Sequence, residues 1–235
     1  MSLINYVLIP ERIQSRMIRE LLKKLVYPHK YSTEAYVKYI RSGGGQIGKN
    51  CRFYGPTSIT IDSTSFPFIS MGDNVVLTED VIILAHDYSY EVLENIEEPV
   101  SLRPQKFTKI GNNVFVGMRS IILMGAEIGD NVIVGAGSIV SGKIPSNCVC
   151  AGNPARVICT LEEHEEKLKK KFYEFSKNYA LGFKMKNGRI PTEEEMVIYS
   201  TLIKGYEDAY ESINATTLVN EDKYDSVEAL IKSKE

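Results

Sequence analysis

A period of six constrains this chain more than any other feature. Ile110, Val116, Ile122, Ile128, Val134 and Val140 follow one another at six-residue steps without a miss. Four residues after each comes a small or β-branched residue: Val114, Ser120, Ala126, Val132, Ser138 and Ile144. Gly111, Gly117, Gly129 and Gly135 stand directly behind members of the first series. A helix buries residues at a period of 3.6 and does not return to one face every six. A strand alternates faces with period two, so six suits a short strand plus a tight corner, repeated. Three such units close a coil of triangular section. Aliphatics fill its axis, and Gly and Asn (Asn112, Asn113, Asn131) tolerate the positive φ of tight corners. One coil cannot bury its own edge, so coils must stack.

The same phase is read earlier, at Ile47, Phe53, Ile59, Met71, Leu77 and Ile83. One prism is therefore expected over residues 47–159, with a single interruption, because Ile83 to Ile110 is not a multiple of six. The interruption is read as a loop insertion at 87–109. It carries Tyr88, Tyr90, Arg103 and several acids, and it starts beside His86. A long loop inside a compact repeat is usually functional or disordered.

The flanks lack the period. Residues 1–46 carry eight Lys or Arg against three acids. Ile13, Met17, Leu21, Leu22 and Leu25 recur there at helical spacing. This basic amphipathic helix either lies on a membrane surface or packs on protein, which is the simpler reading. A second helix is expected over Thr33–Arg41, with Ser32 as cap and Gly43 onward as the stop. It would cover the open end of the prism, where unpaired backbone groups need partners. Residues 160–235 read as a C-terminal helical extension. A first helix starts at Thr160–Glu163, with breaks at Gly182 and Gly188. A second begins at Thr192 with a capping box and runs to about Ile213. A third short helix spans Tyr224 to Ile231.

Composition excludes several classes. Net charge is −2, which gives no general attraction to nucleic acid or anionic membrane. There is no long apolar run and no visible signal peptide. The four cysteines show no metal-ligand spacing and read as reduced packing residues of a cytoplasmic protein.

The run Ile128-Gly-Asp-Asn-Val-Ile-Val-Gly-Ala-Gly-Ser-Ile-Val, with Ile144-Pro-Ser-Asn and Ala151-Gly-Asn-Pro-Ala-Arg-Val-Ile, resembles the hexapeptide-repeat acyltransferases. The branch it is most similar to holds maltose, galactoside and nodulation O-acetyltransferases and the O-acetylases of surface polysaccharides. The resemblance covers roughly residues 36–160. It implies a mainly β fold, a left-handed parallel β-helix, assembled as a homotrimer with acetyl-CoA held between neighbouring subunits and no metal. The hand comes from the resemblance, since right-handed crossovers are the general rule.

The resemblance also implies roles. His86 stands where the family has a general base. A sugar hydroxyl is a poor nucleophile, and an imidazole, which ordinarily titrates near neutrality, can take its proton. Asp87 is the adjacent candidate for orienting it, with a carboxylate from another coil or subunit as the alternative. The family's sugar enzymes often have an Asn about one and a half coils earlier. Here Phe53-Tyr-Gly-Pro-Thr-Ser stands instead, leaving Thr57 and Ser58 as substitutes. Tyr88, Tyr90 and Arg103 would shape the acceptor pocket. Gly117, Met118, Ala136 and Ser141 match the groove for the pantetheine arm, and an N–H of Gly117 or Met118 would serve the oxyanion. Arg156 matches a basic residue for the phosphates. Lys143 is a second candidate, offset by one from the family's usual position.

The expected activity is acetyl transfer to a hydroxyl of a sugar or surface-polysaccharide precursor, by direct attack in a ternary complex. An N-acetyltransferase acting on an amino-sugar nucleotide is the enzymatic alternative, and a non-catalytic β-helix scaffold is the other. A prism-type carbonic anhydrase needs three zinc-binding histidines, and only His86 of the three histidines lies on the prism.

Overall fold

The computed structural model describes residues 18, 21–96, 103–196, 199 and 224–233. Two compact units result, divided between Leu161 and Glu162.

The first unit is a prism. Strands β1 (Gln46–Ile47), β4 (Ile69–Met71), β7 (Thr108–Ile110), β10 (Glu127–Ile128) and β13 (Lys143–Ile144) stack in parallel as its first face. The second face stacks β2 (Arg52–Phe53), β5 (Val76–Leu77), β8 (Val114–Val116), β11 (Val132–Val134) and β14 (Cys148–Ala151). The third stacks β3 (Thr60–Ile61), β6 (Ile82–Ile83), β9 (Ile121–Ile122) and β12 (Ile139–Val140). The axis is filled as the period requires: Met71 stacks on Ile110, Leu77 on Val116 and Ile83 on Ile122, all buried. The small corner series is buried too, and its serines are satisfied there. Ser120 Oγ donates to Gly135 O at 3.0 Å.

The corners follow from side-chain chemistry. Asn113 and Asn131 have φ of 53° and 56°, in the left-handed region that asparagine tolerates. Their amides form a ladder: Asn113 Nδ2 donates to Asn131 Oδ1, and Asn131 Nδ2 to Asn147 Oδ1, each at 2.9 Å. Asn112 has a different job from the one its neighbours share. Its Oδ1 accepts the Asp73 N–H at 2.8 Å, tying two coils together. Gly111 is required by close approach, since a Cβ there would lie 2.6 Å from Gly129 O.

Two expectations need correction. The first coil does not keep the strict period. Ile61, not Ile59, stacks on Ile83. A turn at Gly55–Ser58, closed by Ser58 N–H to Gly55 O at 2.9 Å, adds two residues between Phe53 and the next axis position. Ile59 is still fully buried, but in the corner series. The last stretch, expected as part of one repeat over residues 47–159, is also not a further parallel coil. After the turn through Pro154 the chain reverses, and β15 (Arg156–Thr160) pairs antiparallel with β14, with a bulge between Val149 and Cys150.

Helix α1 (Thr33–Ser42) covers the open end. Ser32 Oγ accepts the Ala35 N–H, as expected of its cap. The helix also satisfies the first coil's orphan backbone. Phe53 N–H donates to Thr33 Oγ1 at 3.0 Å, Ile61 N–H to the Tyr36 hydroxyl at 3.0 Å, and Arg41 donates to Ile47 O at 2.7 Å. Each buried donor left unmade costs about 1–3 kcal/mol, so the cap is part of the fold. The amphipathic helix expected further upstream falls largely outside the described residues.

The second unit holds α3 (Leu161–Asn187) and α4 (Val227–Lys232) around a small core of Phe172, Ala180, Met196, Val227 and Leu230. Helix α3 passes straight through Gly182 and stops at Gly188, whose φ is 73°. The capping box at Thr192 is formed: Glu195 N–H donates to Thr192 Oγ1 and Thr192 N–H to Glu195 Oε2. The helix expected to run on to Ile213 lies outside the described residues.

Candidate active site

The prism's extensions gather on one edge, between the third and first faces. Between β12 and β13 this edge is two residues long, Ser141 and Gly142. Between β9 and β10 it is residues 123–126. Between β3 and β4 it lengthens to 62–68, and between β6 and β7 to 84–107. Asp62, Thr64 and His86 all sit in the two long corners.

The register explains how they meet. Asp62 N–H donates to Ile83 O at 2.9 Å, continuing the ladder one step past Ile61. This sets the Asp62 side chain under the start of the next coil's long corner. Its Oδ1 accepts the Thr64 N–H at 3.1 Å and the Thr64 hydroxyl at 2.7 Å. Its Oδ2 accepts the Ala85 N–H at 3.2 Å and meets His86 Nδ1 in a short hydrogen bond. The Asp62 side chain is 1% exposed and that of His86 18%. Burial works against ionisation of Asp62, but the bonds from Thr64, His86 and Ala85 outweigh it and hold its carboxyl below the usual carboxylate range. An ionised Asp62 can only accept, so Nδ1 must donate. That fixes the tautomer and leaves the Nε2 lone pair as the ring's basic site.

The long loop leaves and returns through a narrow neck. His86 bridges Gln105 in antiparallel fashion, Asp87 N–H donates to Pro104 O at 3.3 Å, and Lys106 N–H donates to Ala85 O at 3.1 Å. Beyond it, Tyr88 and Tyr90 lead into a short helix, α2 (Glu91–Glu94). The Tyr88 ring meets the His86 ring edge-on at 4.2 Å between centroids. Thr64, His86, Asp87, Tyr88, Tyr90, Arg103, Pro104 and Gln105 line a cavity of about 270 Å³. The loop was expected over 87–109, but the prism resumes at Thr108, with Thr108 Oγ1 donating to Leu84 O at 2.7 Å.

The remaining expectations divide. Tyr88, Tyr90 and Arg103 do come together with His86. Asp87 does not orient the imidazole. It is exposed, and its Oδ1 accepts the Ser89 N–H at 2.8 Å, which holds its carboxyl below the usual range. Asp62 stands in the position assigned to it. Thr57 and Ser58 are not in the cavity. Ser58 Oγ closes its own turn to Gly55 O and accepts the Asp80 N–H, both at 3.0 Å.

The expected donor-site residues fall on two edges. Gly117, Met118 and Ala136 lie on the edge between the second and third faces, where Gly137 N–H donates to Met118 O at 2.8 Å. Arg156 lies at the end of the same edge, opposite Ala151. It is exposed, and no carboxylate pairs with it among the described residues. Ser141 and Lys143 instead follow β12, on the edge that carries His86. Gly117 N–H donates to Val134 O at 2.8 Å and is not free for an oxyanion. Met118 N–H has no backbone acceptor among the described residues and remains the candidate of the two. Lys143 is tied to Glu127 at 3.0 Å, so its charge is already partnered. Among the described residues no group of three or more His, Cys, Asp or Glu is arranged to hold a metal. Nor, among them, is any helix long and apolar enough to cross a membrane.

Comparison with known proteins agrees with this architecture. Residues 107–142 match the model of the bacterial transferase hexapeptide (six repeats). The chain is 38% identical to Protein CapG of Staphylococcus aureus over 129 residues, 55% of this chain and 73% of that one. It is 36% identical to galactoside O-acetyltransferase of Escherichia coli K12 over 127 residues, 51% of this chain and 56% of that one. Among solved structures, a galactoside acetyltransferase in complex with coenzyme A shares 26% identity, covering 68% of this chain and 88% of that one, with a TM-score of 0.42. The repeat, its three parallel faces and the sequence likeness to these relatives place the chain in the hexapeptide-repeat acyltransferase family, and its prism is that family's left-handed parallel β-helix.

Proposed function

We propose that the protein transfers an acetyl group from acetyl-CoA to a hydroxyl of a sugar or surface-polysaccharide precursor, with His86 as general base. The observation that carries this is the Asp62–His86 pair at the wall of a small cavity. A buried, ionised carboxylate fixes one ring nitrogen and leaves the other as the basic site of a ring that lines the cavity. In the reaction the acceptor hydroxyl gives its proton to His86 Nε2 while its oxygen bonds to the acetyl carbon. The sulfur–acyl bond breaks, and the proton leaves with the coenzyme thiol. No acyl-enzyme is needed. Asp62 stabilises the imidazolium that forms transiently, and general-base help of this kind contributes about 10²–10⁴ in rate.

The donor fits residues of this chain. Arg156 is exposed, donates to Ala155 O at 2.9 Å and pairs with no carboxylate among the described residues, so its charge is suited to phosphate. The exposed Met118–Ala136 edge offers backbone partners for an extended amide arm. This edge and the His86 edge are separate within one copy, which supports a donor cleft formed between copies, as in a homotrimer. Such an assembly, a cytoplasmic setting and the division into residues 1–46, 47–159 and 160–235 are part of the same reading.

The test is acceptor-dependent thiol release from acetyl-CoA, with the product's linkage identified. An alkali-labile ester supports O-acetylation. An alkali-stable amide on an amino sugar would favour the N-acetyl alternative, and absence of release with any acceptor would leave only a scaffold.

A further inference from the structure

Taking the cavity beside His86 as the acceptor site, as proposed above, we infer that the acceptor is an anionic sugar, recognised by Arg103 through an oxyanion on or beside the ring that is acetylated. His86 bridges Gln105, and Asp87 donates to Pro104. Arg103 stands two residues before Gln105, and it lines the same cavity of about 270 Å³ as His86 and Tyr88. A cavity this small brings the guanidinium and the base onto one acceptor. The Tyr88 ring, set edge-on to the imidazole, supplies an apolar flank.

The charges in this cavity are unevenly satisfied. Asp62, behind the imidazole, accepts from Thr64, Ala85 and His86. Asp87 accepts from the Ser89 amide within its own turn. Gln105 Nε2 donates to Ser65 Oγ at 3.2 Å. Arg103 has no carboxylate or carbonyl partner among the described residues, and it is the one cation among the residues lining the cavity. A guanidinium presents a planar fork that matches a carboxylate or phosphate with two parallel bonds. A neutral sugar offers it hydroxyl acceptors but no compensating charge. The shared chemistry is an oxyanion, either the carboxylate of a uronic or sialic acid or the phosphate of a sugar phosphate.

The experiment measures thiol release from acetyl-CoA by the full chain with matched acceptors: glucose, glucuronate and glucose 1-phosphate, and the galactose counterparts. The expected result is that one anionic series has kcat/KM roughly 10- to 100-fold above its neutral parent. Which series wins distinguishes carboxylate from phosphate. Arg103→Gln is expected to erase that preference through KM, with Arg103→Lys retaining part of it and both variants melting like the parent protein. Neutral sugars used as well as their anionic partners, with Arg103→Gln raising no KM, would overturn the inference and leave the acetyltransferase reading standing. Acceptor-dependent release from none of the sugars would overturn both.

Discussion

The two halves of the prism differ in what their corners do. From β7 to β14 the corners between the third and first faces are two to four residues long. From β3 to β7 the same edge lengthens twice, and Asp62, Thr64 and His86 occupy the long corners. The regular half is governed by one requirement, filling the axis while pairing the backbone every coil. The irregular half breaks the period, and each departure positions a group that packing alone does not need. Buried polar pairs are costly unless fully bonded. Asp62 is bonded at both oxygens, so the fold maintains that pair at the edge of a rod whose axis is apolar.

The contrast can be broken or sharpened by substitution. The largest expected effect lies in the regular axis. Ile122→Ala removes a fully buried side chain and should cost about 2–5 kcal/mol in denaturant unfolding. Next, Asp62→Asn should lower acetyl transfer roughly 100-fold, because an amide no longer fixes the tautomer or balances the imidazolium. The coenzyme's Kd should not change. The same residue predicts a pH effect on stability. Its folded-state pKa is depressed, so its contribution is present above the ordinary carboxylate range and lost as pH falls through the folded value. The melting temperature should therefore drop on acidification by more in the parent protein than in Asp62→Asn.

Smaller effects follow at the corners. Gly111→Ala places a Cβ 2.6 Å from Gly129 O and should cost about 1–3 kcal/mol, read from a thermal melt, without altering the His86 cavity. Lys143→Ala breaks an exposed pair with Glu127 and should move stability by less than about 0.5 kcal/mol. If Lys143→Ala instead raised the KM for acetyl-CoA more than Arg156→Ala does, the assignment of the phosphates to Arg156 would be wrong.

The regular half was legible because a six-residue period can satisfy backbone pairing and axial packing in few ways. The capping helix was legible for a related reason: an open coil leaves donors that only a neighbouring element can meet, and Ser32 announced its start. Asp62 was not legible. Ile59 is aliphatic and fits a strict period, which hid the two residues that the Gly55–Ser58 turn inserts. With Ile61 on the axis, Asp62 falls beside the long corner that starts after Ile83. Asp87 was one candidate, by proximity in sequence, beside a carboxylate from another coil; neighbours on an extended chain point apart, Asp87 closes a local turn, and Asp62 of the preceding coil holds the imidazole. Gly182 was read as a break, but one glycine costs a helix only about 1 kcal/mol, and the 27-residue α3 carries it. The separation of the donor residues onto two edges depends on which corner each occupies, which a period alone does not number.

The central claim is that the imidazole fixed by Asp62 takes the acceptor's proton. Its most direct test is single-turnover acetyl transfer by His86→Ala, at saturating acetyl-CoA and acceptor, beside the parent protein. The account predicts a loss of about 10²–10⁴-fold with coenzyme affinity and melting temperature retained. Transfer within a factor of about two of the parent rate would contradict it.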